Sequence, residues 1–251
     1  METIGNESKA KRFGKAAIDI VSFAALAVLI ITIISVPFAT VLLKLGKEEA
    51  DTMSYFILSE TLMLAGVFLS AWIVWHLRGF SLEGLGRSLT MRWKDWLSGI
   101  LLATVLYAVG FGISLWAGAV EIAGVAFNPS SLLISLVFFL LVAVTEELAL
   151  RGFVLERLLQ SGVNKFCALF LSAALFSLIH IGNPNFDFLS FINILLAGIL
   201  LGSSYIYTRN LCFPIALHWF WNWIQGPVLG YEVSGNKFCN GLLAVRLPEA
   251  N

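Results

Sequence analysis

Apolar residues fall into seven long stretches along this chain of 251 residues, at about 17–43, 54–77, 96–118, 131–159, 165–182, 187–207 and 211–226. A helix rises ~1.5 Å per residue, so stretches of this kind suit the ~30 Å hydrocarbon layer of a bilayer, and the pattern predicts seven membrane helices. The region 227–247 is also apolar but is interrupted by Gly230, Ser234, Gly235, Asn236, Lys237 and Asn240. It predicts either an eighth span or a re-entrant or interfacial piece. The expected fold is therefore all-α, a polytopic transmembrane helical bundle of 7–8 helices. No repeat, low-complexity tract or linker divides it, which predicts one integral membrane domain over 1–251.

Composition agrees. Hydrophobic residues make up 59% of the chain, charged residues 13%, and mean hydropathy is +0.87, whereas soluble chains are about one quarter charged. The formal charge of zero argues against a nucleic-acid partner. Cys167, Cys212 and Cys239 form no C-x-x-C pair, so neither a disulfide framework nor a cysteine-rich zinc site is predicted.

Basic residues orient the bundle. Lys9, Lys11, Arg12 and Lys15 precede a first apolar run that is too long for a cleaved signal peptide, which predicts an uncleaved anchor with a cytoplasmic amino terminus. Arg78, Arg87, Arg92 and Lys94, then Arg157 and Lys165, then Arg209, mark later connections on the same side. The connections near Glu121 and Asn128 and around Asn183–Asp187 lack basic residues and are predicted to face outward. Lys44 and Lys47 are the exception, accompanied by Glu48, Glu49 and Asp51. A multi-pass protein of the inner (plasma) membrane is expected.

Against this background, a few polar residues stand out. Glu146, Glu147 and Arg151 continue the apolar run that begins at Ser131; His180 ends the apolar run Phe166–Ile181; His218 and Asn222 lie within the last span. Ionisable groups inside a bilayer cost roughly 2.5 kcal/mol or more each, so a functional site is the default reading. Counting from Arg157, Lys165 and Arg209, the depths are roughly 16 Å for Glu146, 22 Å for His180, 13 Å for His218 and 19 Å for Asn222. All approach mid-membrane. Adjacent helical residues are ~100° apart, so Glu146 and Glu147 face different ways, while Glu147 and Arg151, four apart, can form an ion pair. Phe176 and His180, and His218 and Asn222, share the same spacing.

Glu146-Glu147-xxx-Arg151, Phe176-xxx-His180 and His218-xxx-Asn222, in that order, resemble the three motifs of the type II CAAX prenyl endopeptidases and their bacterial relatives, the CPBP (CAAX protease and bacteriocin-processing) intramembrane proteases. Arg151-Gly-Phe153, the stretch Gly202–Arg209 and the stretch Asn222–Gly235 add to the likeness. It covers about residues 92–236; residues 1–90 share little beyond spanning the membrane. The resemblance implies an intramembrane endopeptidase in which Glu146 is catalytic and Glu147, Arg151 and Phe176 support the site.

Peptide hydrolysis needs an activated water, a stabilised oxyanion and a proton for the leaving amine. Two arrangements stay open. In one, Glu146, His180 and His218 bind Zn2+; in the other, which we favour, Glu146 and His180 polarise the water while His218 and Asn222 stabilise the oxyanion. The soluble zincin pattern H-E-x-x-H is absent. The expected partner is a membrane-associated peptide or protein, CAAX-type or bacteriocin-like, within the bilayer. A non-catalytic immunity or adaptor protein is an alternative that the intact motif set disfavours. A transporter is another, but the chain has no internal symmetry.

Blander readings apply elsewhere. Glu146, Glu147 and Arg151 as a solvated helix end would leave the surrounding apolar run unexplained. His76, beside Arg78 and among tryptophans, fits an interfacial belt. Trp219, Phe220, Trp221 and Trp223 fit packing and cavity wall, and Glu60, inside the second span, is assigned no chemistry.

Overall fold

The computed structural model of the protein describes residues 8–44, 52–79, 90–246 and 248. Helix α1 spans Lys9–Lys44, α2 Thr52–Arg78 and α3 Trp93–Trp116. A single continuous helix, α4, runs over Pro129–Gln160. It is followed by α5 (Lys165–Leu178), α6 (Phe188–Thr208) and α7 (Cys212–Trp223), the last extended by a π-helical turn over Ile224–Val228. Five of these, α1, α2, α3, α4 and α6, are long and apolar enough to cross a membrane. The apolar runs at 165–182 and 211–226 instead form shorter helices of 14 and 12 residues.

Local chemistry explains the helix starts. Asn128 caps α4, its side chain accepting the Ser131 N–H at 3.1 Å, and Pro129 takes the first helical position, where its missing N–H is harmless. Asn164 caps α5 through the Phe166 N–H at 2.9 Å, and Asp187 caps α6 through the Ser190 N–H at 2.7 Å. Helix α5 stops at Leu178, before Gly182-Asn183-Pro184, because proline disfavours helical conformation in the residue that precedes it. His180 therefore sits in the turn just past the helix end, not inside the helix predicted over Phe166–Ile181.

Helix α4 is the centre of the molecule, packing against α2, α7 and α5. Small residues allow close approach where no hydrophobic force separates lipid from protein. At Gly99 of α3 a Cβ would stand 2.7 Å from the Phe213 carbonyl of α7, and at Gly198 of α6 it would stand 3.0 Å from Ala173 of α5. The indole N–H groups of Trp219 and Trp223 donate to the α4 carbonyls of Leu136 (2.8 Å) and Leu132 (3.1 Å), so these tryptophans join α7 to α4 as well as packing.

The basic connections gather at one end of the bundle. Arg78 and Arg157 both pair with buried Asp19 of α1, Arg209 pairs with Glu156 at 3.1 Å, Arg92 donates to the Thr208 carbonyl, and the Lys165 ammonium lies 5.5 Å from the Tyr207 ring. Arg87 and the exceptional group Lys47, Glu48, Glu49 and Asp51 lie outside the described residues. The Lys44 side chain does too.

The region 227–247, read as an eighth span or as a re-entrant or interfacial piece, forms no helix long and apolar enough to span among the described residues. Among the described residues it contains an isolated bridge between Val233 and Asn236 and a strand, β2 (Leu243–Arg246). That strand pairs antiparallel with β1 (Glu121–Val125), and Arg246 and Glu121 close the ribbon with an ion pair at 2.7 Å. The frequent glycines and polar residues of 227–247 favour turns and extended backbone over helix.

Candidate active site

Helix α4 leaves regular α geometry just after its two glutamates. Leu148–Leu155 wind as a π-helix, a local widening that recurs at functional sites, and all but Ala149 of this stretch are buried. Glu147 and Arg151 flank its first turn. Both side chains are fully buried, and the guanidinium Nη1 donates to Glu147 Oε1 at 2.8 Å. Its Nη2 donates to the Gly198 carbonyl at 3.1 Å, which the close α5–α6 approach brings within reach, and its carbon lies 4.5 Å from the centre of the Phe176 ring. A buried charge demands such partners, because removal from water costs several kcal/mol per ion. Glu147 Oε2 and Arg151 Nε stay buried without a hydrogen-bond partner among the described residues.

Glu147 also holds the first histidine. His218 Nδ1 lies 2.9 Å from Glu147 Oε1. A carboxylate can only accept, so this nitrogen carries the proton and Nε2 is turned to the other glutamate, 3.7 Å from Glu146 Oε2. The second histidine is set in the same manner. His180 Nδ1 lies 2.7 Å from the Phe176 carbonyl, which again must accept, and its Nε2 lies 4.0 Å from Glu146 Oε1. The Phe176 ring packs edge-on against both imidazoles, with centroids 5.0 Å from His180 and 6.0 Å from His218.

Glu146 thus faces two imidazole nitrogens with one oxygen toward each. These separations are too long for direct hydrogen bonds and match groups that share a bridging water. Its side chain is 20% exposed, against 0% for Glu147. Glu147 pairs with Arg151, as the four-residue spacing predicts, while Glu146 faces the two imidazoles. The structure brings Glu146, Glu147, Arg151, Phe176, His180 and His218 into one cluster from α4, the end of α5, and α7. Asn222 is buried one turn beyond His218 on α7, and among the described residues nothing hydrogen-bonds its side chain.

A further acid, Glu60, to which the sequence assigns no chemistry, lies close to the cluster. Glu60 of α2 is 7% exposed, stands beside the Thr145 hydroxyl and lies within electrostatic reach of Glu146. The available signal was an acid in mid-span; its neighbours come from a helix some eighty-five residues away in the chain. His76 stacks on Trp72 with ring centres 5.6 Å apart.

The donor types at Glu146, His180 and His218, one carboxylate and two imidazoles, suit zinc. Anchoring each Nδ1 so that Nε2 points inward is also how metal-binding histidines are oriented. The spacing suits it less: among the described residues no three such side chains close around a common point.

Residues 128–224, which contain every one of these motif residues, match the family model for the type II CAAX prenyl endopeptidase, Rce1-like. No curated protein and no solved structure matches the chain.

Proposed function

We propose that this chain, whose residues 128–224 match the Rce1-like type II CAAX prenyl endopeptidase model, is a membrane protease of the CAAX type that hydrolyses a peptide bond of a membrane-associated substrate at Glu146. The observation that carries this reading is the approach of one partly accessible carboxylate to two oriented imidazoles, at 3.7 and 4.0 Å, inside an apolar bundle.

In the proposed reaction Glu146 and the unprotonated Nε2 of His180 hold one water. Glu146 takes a proton from it as the oxygen attacks the scissile carbonyl carbon. The carbonyl π electrons move onto oxygen, and the resulting oxyanion accepts hydrogen bonds from His218 and the Asn222 carboxamide. Glu147 positions His218 for this role: it accepts the Nδ1–H at 2.9 Å and so turns Nε2 toward the reacting centre, where, protonated, it donates to the oxyanion. When the tetrahedral intermediate collapses, the C–N bond breaks and Glu146 returns the proton to the leaving amine. Arg151 neutralises Glu147 and keeps it from drifting toward the reacting centre. No serine or cysteine nucleophile is required, and no step is assigned to a metal.

The same reading has the amino terminus and the basic end of the bundle in the cytoplasm of an inner-membrane protein, by the positive-inside rule. The substrate, a CAAX-type or bacteriocin-like peptide, then approaches from that side. A mass-spectrometric comparison of membrane peptides from cells expressing wild type and Glu146→Ala tests the proposal. Fragments present only with wild type support it; identical peptide profiles at equal protein levels reject it.

A further inference from the structure

Helices α3 and α4 are both long and apolar enough to cross a membrane, so residues 117–128, which join them, lie at a membrane boundary. Helix α3 starts beside Arg92, at the basic end of the bundle, and delivers this connection to the opposite end. There β1 pairs with β2, a strand from the far end of the sequence.

The register gives this ribbon two unlike faces. Leu243 and Val245 are two apart on a regular strand and share one face, while Ala244 and Arg246 take the other. Their partners follow them: Val125 opposes Leu243 and Ile122 opposes Val245 on the first face, Gly124 opposes Ala244 and Glu121 opposes Arg246 on the second. Ile122 and Val125 are three apart and would point to opposite sides of an unbroken strand. The bulge between Ile122 and Gly124 absorbs one residue and brings both to the same side. One face is therefore wholly aliphatic, and the other carries the Glu121–Arg246 ion pair. The aliphatic face stays open along β1, where Val125 is 69% exposed.

The surroundings identify what covers it. Trp116, the last residue of α3, is 88% exposed, and tryptophan at the end of a span favours the headgroup level of a bilayer. Exposed Phe127 stands just before the α4 cap, and exposed Ile113 and Leu133 continue the apolar surface onto the two spans. Deeper placement is unfavourable, because a two-stranded ribbon keeps unpaired main-chain N–H and C=O groups along its outer edges, which hydrocarbon does not tolerate.

We infer that the β1–β2 ribbon is an interfacial anchor, resting on the leaflet opposite the basic end with Ile122, Val125, Leu243 and Val245 against lipid and Glu121 and Arg246 toward water. Its partner is the bilayer surface, entered to about 5–10 Å as amphipathic elements of this kind are. The anchor also braces the helix of the candidate site. The Leu242 N–H donates to the carbonyl of Pro227, in the π turn that extends α7, and the Ala126 N–H donates to the Leu242 carbonyl. A ribbon seated in the interface thus fixes the end of the helix that carries His218 and Asn222. The inference goes beyond the reaction proposed at Glu146 and does not depend on it.

The test places one cysteine on each face, Val125→Cys and Ala244→Cys, in full-length protein whose Cys167, Cys212 and Cys239 are replaced by alanine. Each is labelled with an NBD fluorophore and reconstituted in phosphatidylcholine vesicles, with thermal unfolding matched to wild type. Ile122→Cys replaces Val125→Cys if that variant does not fold. Quenching is measured with iodide on both sides of the bilayer and with a phospholipid spin-labelled near its headgroup. The label at Val125 should be quenched by the lipid at least about threefold more than the label at Ala244, and by iodide correspondingly less, as a face seated in the interface requires. Equal quenching at the two positions, or the reverse order, overturns the inference.

Discussion

Removing the Arg151 guanidinium is the perturbation whose cost the structure specifies best. Arg151 and Glu147 are both fully buried, joined at 2.8 Å, with a further bond to the Gly198 carbonyl at 3.1 Å. Taking away one partner of a buried pair leaves an uncompensated charge and costs about 3–5 kcal/mol, a factor of roughly 10²–10³ or more in the folding equilibrium. Arg151→Met should show that loss. The double variant Glu147→Leu/Arg151→Met removes both charges, and such replacements are often neutral. Here His218 loses its acceptor as well, a penalty of about 1–3 kcal/mol. The double variant should therefore be more stable than Arg151→Met, with a favourable coupling of at least about 1 kcal/mol between the two sites. Titration with SDS in mixed micelles, followed by the fluorescence of the eight tryptophans, measures all corners of the cycle. The double variant should stay inactive even where it is folded, since nothing then holds His218 Nε2 toward Glu146. A single variant costing under about 1 kcal/mol, or a double variant no better than the single, would refute the argument.

Two further outcomes follow from the cluster. Asn222→Ala should lower kcat by about 10²–10³ while changing thermal stability little, because its buried carboxamide has no partner among the described residues to lose. Turnover in proteoliposomes should survive exhaustive chelation, with sub-stoichiometric zinc by elemental analysis; loss of activity that zinc alone restores would move Glu146, His180 and His218 to the role of ligands.

Features that depend on local spacing were readable before any coordinates. The Glu147–Arg151 pair follows from four-residue helical spacing, the freedom of Glu146 from the 100° step, and the membrane setting from the apolar runs. What required the fold is non-local. Helical periodicity does not reveal that α4, the end of α5, and α7 converge, nor that His218 Nδ1 settles on Glu147 while Nε2 turns to Glu146. The π winding over Leu148–Leu155 leaves no mark in the hydropathy pattern. The apolar run continues to Ile181 and so predicts a helical His180, whereas the helix ends at Leu178, ahead of the Gly182-Asn183-Pro184 turn. The β1–β2 ribbon escaped notice because Glu121–Val125 is short and its partner lies more than a hundred residues away. Glu60 was visible as an anomaly, but its neighbours Thr145 and Glu146 belong to another helix.

The central claim is that Glu146, set between His180 and His218, activates the hydrolytic water. The most direct measurement is single-turnover cleavage of a farnesylated CAAX peptide by purified wild type and Glu146→Gln in proteoliposomes, with equal folding verified by thermal unfolding. The account predicts a rate loss of about 10²–10⁴ in the glutamine variant, the range for a lost general base. Cleavage at the wild-type rate by folded Glu146→Gln protein would contradict it.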